Sequence, residues 1–347
     1  MIKRKPTKEI KIGKIKIGNN NPIAVQSMTN TLTKNADETI KQVHSLEELG
    51  CEIIRVSVPD IESAQALKTI KENISIPLVA DIHFDYKLAV ESAKYVDKLR
   101  INPGNIGSED KIKQVVEAAK QYNLPIRIGI NLGSLEKEIE KNYGLSAIAM
   151  VESAIKNITI LERLDFNDIV VSLKASDVLR TIEAYRLFSE RSNYPLHLGI
   201  TEAGTLFSGT INSSVGISNL LLQGIGDTIR VSLSASPEEE VKVGKQILKS
   251  LKLRNFGVSI LSCPTCARSI IDVISIAKQL EKETEKIKKN LHIAIMGCGV
   301  NGPGEAKEAD LGIVGAENEN LFYKNGEIVG RIEEKNIIDK LMDEIGK

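Results

Sequence analysis

The sequence predicts an α/β protein, a (β/α)8 barrel of the TIM type followed by a smaller α+β domain. Three observations carry that prediction. A short β-rich run, a turn and an amphipathic stretch recur eight times between residues 23 and 254. Five of the eight β runs hold a cation where a barrel strand should be apolar. Beyond residue 254 the repeat gives way to a strand ending in Cys-Pro-Thr-Cys. The runner-up is an open doubly wound sheet, but the count of eight and the similar unit lengths favour the closed barrel.

Residues 8–18 alternate Lys or Glu with Ile around Gly13, the pattern of a small hairpin with one apolar face. The eight strands follow as IAVQSMTN (23–30), IIRVSVP (53–59), IPLVADIHF (76–84), KLRINPG (98–104), PIRIGINLG (125–133), DIVVSLKAS (168–176), PLHLGITEAG (195–204) and DTIRVSLSA (227–235). Helical stretches at 37–49, 61–72, 108–122, 178–192 and 237–251 lie between them, and 135–165 has room for an extra helix. The second domain opens with a strand over 256–266, whose cysteine motif leads into a helix over 267–289. Another strand runs from 291 into a glycine-rich loop, and strands with a turn at Asn325-Gly326 follow. The domains are therefore expected at 1–254 and 255–347.

The chain of 347 residues balances 46 Lys+Arg against 46 Asp+Glu, so no global field draws it to nucleic acid or a membrane surface. Trp is absent and aromatics are few, against a stacking surface for single strands. The N-terminal run MIKRKPTKEIKIG has no apolar stretch after its basic residues, and no segment has the roughly 18 apolar residues of a spanning helix. A cytoplasmic protein is expected, with its four cysteines reduced or metal-bound.

The strand cations are Arg55, Arg100, Arg127, Lys174 and Arg230. Four stand in one pattern, Arg-apolar-small: Arg55-Val56-Ser57, Arg100-Ile101-Asn102, Arg127-Ile128-Gly129 and Arg230-Val231-Ser232. Strand side chains alternate, so the apolar residue faces the helices while the arginine and its i+2 neighbour face inward. An unpaired inward guanidinium costs several kcal/mol, and converging cations repel. Asp81, His83 and Glu202 end the third and seventh strands but are too few to neutralise the set. One inward arginine could pair within a layered core. Five at equivalent positions call for a bound polyanion, and guanidinium forks match a diphosphate. Barrel active sites gather at this end of the strands.

Cys263 and Cys266 end a strand, and Cys298 lies in a loop with Gly297, Gly299, Gly302 and Gly304 that lets backbone amides approach sulfur. Three thiolates are one ligand short. Cys51 starts the second strand, at the far barrel face, and reads as a small core residue. His292 sits at the start of its strand, away from Cys298. Glu305 follows the glycine loop and is the available fourth ligand, a hard and exchangeable one that would leave one iron accessible to substrate. Two readings stay open: a [4Fe–4S] cluster, or structural zinc with three thiolates and a carboxylate. The second belongs to a zinc-stabilised or iron–sulfur-carrying scaffold without redox catalysis, which leaves five inward cations unexplained. A radical enzyme using S-adenosylmethionine would need C-x3-C-x2-C, and a pterin-dependent barrel would not need the cysteines.

The motifs QSMTNT (26–31), IIRVSVP (53–59), VADIHFD (79–85), LRINPGN (99–105), RIGINLGSL (127–135), SLKAS (172–176), GITEAG (199–204), SCPTC (262–266) and MGCGVNGPGEA (296–306) together resemble the 4-hydroxy-3-methylbut-2-enyl diphosphate synthase family in its bacterial two-domain form. The resemblance covers essentially the whole chain. It implies reductive ring opening of 2-C-methyl-D-erythritol 2,4-cyclodiphosphate with loss of a hydroxyl as water. It places Cys263, Cys266, Cys298 and Glu305 on a [4Fe–4S] cluster, and Arg55, Arg100, Arg127, Lys174 and Arg230 around the diphosphate. It adds Asn102, Asn131 and Ser232 as lighter contacts, Glu202 as the acid near the reacting carbons, and Asp81 and His83 as pocket walls. Flavodoxin or ferredoxin is the implied electron donor. The eighth barrel helix should return the chain to the barrel bottom, away from the cations. A homodimer with composite active sites is therefore expected, in agreement with the resemblance.

Overall fold

The computed structural model describes residues 2–346. It divides into two compact units, one ending at Arg254 and the other beginning at Asn255.

The first unit opens with an antiparallel hairpin, β1 (Ile10–Ile12) and β2 (Ile15–Ile17), turning at Gly13 in the left-handed region. Eight parallel strands follow: β3 (Ala24–Met28), β4 (Ile53–Ser57), β5 (Leu78–Asp81), β6 (Lys98–Ile101), β7 (Ile126–Asn131), β8 (Ile169–Lys174), β9 (His197–Leu198) and β10 (Thr228–Ile229). Each pairs with its sequence neighbour from β3 to β8, β9 pairs with β10, and β10 pairs with β3. A bridge between Val171 and Leu196 closes the ring between β8 and β9. This is the expected barrel. Its last two strands are shorter than expected. Beyond β9 the chains are held by isolated bonds, such as Arg230 N–H to Leu198 O at 2.9 Å.

Helices stand at the expected places, Ala36–Glu48, Ile61–Glu72, Glu109–Gln121, Val178–Arg191 and Pro237–Ser250 among them. The long fifth unit holds two, Lys137–Tyr143 and Ala147–Arg163. Ile10, Ile12 and Ile17 of the hairpin pack with Ala24, Ile53, Val79 and Val170, inward residues at the strands' starting ends. The hairpin therefore plugs the barrel bottom, each buried Ile contributing about 1.5–3 kcal/mol. Arg4 ties the segment before it to Asp227 at 2.7 Å. With the bottom closed, the barrel interior opens only where the strands end.

The second unit is a five-stranded sheet ordered β11 (Val258–Ser262), β12 (Leu291–Met296), β13 (Leu311–Val314), β14 (Asn320–Lys324) and β15 (Glu327–Ile332). The first three are parallel and the last two form a hairpin turning at Asn325-Gly326, both left-handed. Helices Val273–Thr284 and Ile337–Gly346 bury Ile276, Leu280, Leu341 and Ile345 against Ile293, Ile295 and Ile313. One expectation is corrected. The cysteine motif does not open a helix: the helix starts at Val273 and ends at Thr284. Asp272 is the better cap, its carboxylate accepting from Ser275 N–H at 3.1 Å, so residues 267–272 stay outside the helix.

Candidate active site

The barrel mouth holds a cavity of about 240 Å3 lined by Met28, Arg55, Asp81, His83, Arg100, Arg127, Asn131, Ser172, Lys174, Thr201, Arg230 and Ser232. All five cations singled out by strand alternation reach it. Gly129 and Gly199 make that possible. A Cβ at Gly129 would run into the Arg100 guanidinium, and one at Gly199 would lie 2.6 Å from Lys174 Nζ.

The ring is only partly neutralised. Asp81, 3% exposed, accepts from Arg100 at 2.8 Å and sits 3.5 Å from Arg55 and from His83. Burial alone would raise its pKa, but Arg55 and Arg100 overrule burial and hold the carboxyl well below its ordinary value. Arg55 also places Nη2 2.9 Å from Met28 Sδ. Burial, offset by Asp81, pushes Arg55 down to about 9, still charged at neutral pH. Glu240, from the helix Pro237–Ser250, is 3.3 Å from Arg230. Arg127 has no such partner. It is 1% exposed, and its Nε and Nη1 meet no hydrogen-bond acceptor among the described residues. Among the described residues Lys174 Nζ meets no carboxylate; its neighbour is the His197 ring, with Nε2 at 3.4 Å. Burial and then Arg127 disfavour charge on Lys174 and on His197, pushing both well below their ordinary values.

A buried, unpartnered guanidinium is costly, and here it opens into a cavity lined by further cations. Six cationic side chains, with Lys98 one layer deeper, stand against two buried carboxylates, Asp81 and Glu240. An anion bearing two or more negative charges is the ligand that such a cavity is built to take.

A second cavity of about 390 Å3 adjoins the first through Asn131 and Thr201. Ser134, Ser176 and Glu202 line it, and no cation does. Glu202 has a φ of 52°, a left-handed conformation costing a non-glycine residue about 1–3 kcal/mol and often kept at functional sites. The barrel mouth thus offers a cationic chamber beside a hydroxyl-rich one with a carboxylate. Asn102 is buried but lines neither cavity; its Nδ2 turns 3.5 Å from Ser134 O.

Four residues of consequence escaped the sequence reading. Lys98 and His197 obey the same alternation, one step deeper than Arg100 and Gly199, and could have been found from it. Gln26 accepts from Lys98 at 3.4 Å. Glu240 carried no signal: in Pro237-Glu238-Glu239-Glu240 it looks like one of three first-turn acids complementing a helix dipole.

In the second unit, Cys263 and Cys298 follow β11 and β12, which pair side by side in parallel. Gly297 N–H donates to Cys263 Sγ at 3.1 Å, the contact a metal-bound thiolate accepts. Cys266 and Glu305 are exposed, and Gly299 and Gly304 border open space. Among the described residues no three His, Cys, Asp or Glu side chains converge as one ion requires. A cluster asks for something different, because its thiolates ligate separate irons and stand further apart than the donors of a single ion. The donor set, soft thiolates beside bare backbone amides, fits an iron–sulfur group. Cys51 is buried at the other unit's strand starts, and burial pushes its thiol up to about 12.

Comparisons with known proteins agree with this geometry. The family models described as the GcpE TIM-barrel domain and the GcpE protein C-terminal domain match residues 7–245 and 259–347. A protein of Caldanaerobacter subterraneus named 4-hydroxy-3-methylbut-2-en-1-yl diphosphate synthase (flavodoxin) is 59% identical, over 100% of this chain and 99% of its own. One of the same name from Ruminiclostridium cellulolyticum is 56% identical over 100% and 99%. Among solved structures, dihydropteroate synthase from Stenotrophomonas maltophilia aligns with a TM-score of 0.54 at 11% identity, over 72% of this chain and 97% of that one. At that identity the likeness concerns the barrel fold alone.

Proposed function

The chain belongs to the GcpE family, and we propose from that premise that it is a flavodoxin-dependent 4-hydroxy-3-methylbut-2-en-1-yl diphosphate synthase acting on a cyclic diphosphate. The observation that carries the substrate class is the unpartnered Arg127 at the floor of a cation-lined cavity. The reaction breaks the ring C–O bond of the cyclodiphosphate and expels a hydroxyl as water. Two electrons and one proton enter for each water that leaves, and the freed diphosphate gains one negative charge.

The chain's own residues divide the work. Among the described residues no carboxylate pairs directly with Arg127 or Lys174, so they take the diphosphate and stabilise the negative charge it gains as the C–O bond breaks. Arg55, Arg100 and Arg230 are pre-oriented by Asp81 and Glu240 and clamp its remaining oxygens. The second cavity receives the carbon skeleton, with Ser134, Ser176 and Thr201 for its hydroxyls. Glu202 is assigned the proton that leaves with the departing hydroxyl. Asn131, Ser232 and His83 complete the walls.

The cofactor is iron–sulfur, and we assign it as a [4Fe–4S] cluster held by Cys263, Cys266, Cys298 and Glu305. When bound, such a cluster passes electrons singly from the donor protein to the substrate. We also propose a homodimer in which one chain's cysteines serve the other's barrel. Two features support it. The barrel unit ends at Arg254, which bonds Ile23 O and Glu52 at the strand-starting face, opposite the cations. The helix Leu206–Leu222 has no charged residue and leaves Phe207, Ile211 and Val215 exposed.

The test is an anaerobic assay with reduced flavodoxin and the cyclic diphosphate, beside an iron and sulfide count on the isolated protein. Conversion to the linear diphosphate with about four irons per chain is expected. Zinc without sulfide, and no binding of the cyclic diphosphate, would replace this reading with the scaffold one.

A further inference from the structure

We infer that Glu240 is a positioning residue for substrate binding: it holds Arg230 in the orientation that grips the diphosphate. The inference rests on the function proposed above. Glu240 lies outside the cavity lining, on a helix packed over β3 and β10, and only 5% of it is exposed. Its carboxylate reaches over the strand ends and gathers three groups. Arg230 Nη2 approaches both oxygens at 3.3 Å. Leu233 N–H donates to Oε1 at 3.0 Å, which fixes the chain just beyond Ser232. Ser27 Oγ donates to Oε2 at 3.1 Å from β3. The carboxylate is thus anchored from two sides before it meets the arginine.

Arg230 needs that hold. Its Nε is buried without a partner among the described residues, and Arg55, two strands away, repels it. An arginine has about 2 kcal/mol of rotamer freedom to lose on being fixed. At 16% side-chain exposure it has a route toward water at the mouth, where it would relieve the repulsion. Glu240 closes that route. Asp81 does the same for Arg100 at the opposite side of the ring. The two carboxylates therefore orient the flanking cations and leave Arg127 and Lys174 free to be neutralised by substrate.

Charge and position pull in opposite directions when Glu240 is neutralised, which makes the test decisive. Glu240→Gln keeps an acceptor oxygen for Leu233 N–H and can turn its amide N–H to Ser27 Oγ, but it removes the charge that holds Arg230. If positioning dominates, the dissociation constant of the cyclic diphosphate, measured by calorimetry on the intact protein, rises about tenfold. KM should rise with it and kcat should stay within about twofold, as expected for loss of uniform binding. If Glu240 were only a counter-charge, its removal would leave more net positive charge and tighten binding, and that result would overturn the inference. The double variant separates this role from a structural one. In an Arg230→Met background, Glu240→Gln should cost no further affinity, whereas additive losses would sink the proposal. Glu240→Asp, which keeps the charge but shortens the reach, should fall between parent and Glu240→Gln; if Glu240→Gln does not fold, an Asp variant with parental affinity overturns the inference. Failure of the parent protein itself to bind the cyclic diphosphate would instead count against the proposed function.

Discussion

Lys98 lies fully buried on β6, one alternation step below Arg100, with its Nζ 3.4 Å from the amide oxygen of Gln26. Burial, then Arg127 and Arg55, push its ammonium well below the ordinary lysine value of 10.5. The sign of the consequence follows from linkage. Between the lowered folded value and 10.5 the unfolded chain binds more protons than the folded one. Stability therefore rises with pH across that interval, and the full penalty applies below it. Lys98→Met should stabilise the ligand-free protein by about 1–4 kcal/mol in urea unfolding at neutral pH. The rise of stability with pH should also flatten. Equal slopes for parent and variant would show that Lys98 is not held against its charge. Alternation found five cations because each stands beside a small residue at a strand end, and Lys98 obeys that alternation. It went unread because a lysine two residues before an arginine looks like a strand's solvated start. Glu240 was illegible for a different reason: its partners Ser27 and Arg230 come together only through barrel closure.

Elements carry the ring through their glycines. Gly199 follows β9, and a Cβ there would lie 2.5 Å from Arg230 O and 2.6 Å from Lys174 Nζ. The backbone oxygen cannot retreat without moving the strand, so the lysine must. Gly199→Ala should destabilise the protein by about 1–3 kcal/mol as an overpacked core substitution. It should also weaken binding of the cyclic diphosphate by displacing Lys174. Gly330→Ala on β15, where no atom lies within 4 Å, is the matching control and should leave melting and binding unchanged. Parental affinity in the Gly199 variant would place Lys174 outside the diphosphate contact. Periodicity placed all eight strands and the flanking helices, because burial on a barrel imposes alternation inside and an apolar stripe outside. It failed at 267–272, where apolar Ile270 and Ile271 read as helix. There Asp272 takes the cap, and Ser269 Oγ donates to Ile271 O within the loop. A cap is a local competition between neighbouring polar side chains, and hydrophobic period carries no information about its outcome.

At the scale of the whole molecule, the residues assigned to the diphosphate all lie before Arg254 and those assigned to the cluster all lie after it. That separation lets each defect be placed in a different chain. Cys298→Ser removes a proposed cluster ligand and leaves the cation ring intact. Arg127→Ala removes the unpartnered guanidinium and leaves the thiolates intact. Each variant alone should be inactive. If one chain's cysteines serve the partner's barrel, a mixed dimer contains one site with both defects and one with neither. Co-refolding equal amounts makes about half the dimers mixed, so about a quarter of the parental turnover should return. If each site is built within a single chain, every site in every dimer carries one defect and no activity returns. The iron content of the mixture checks the equal proportion of the two chains without turnover: the Arg127→Ala chains should contribute a full iron complement, whichever way the sites are composed.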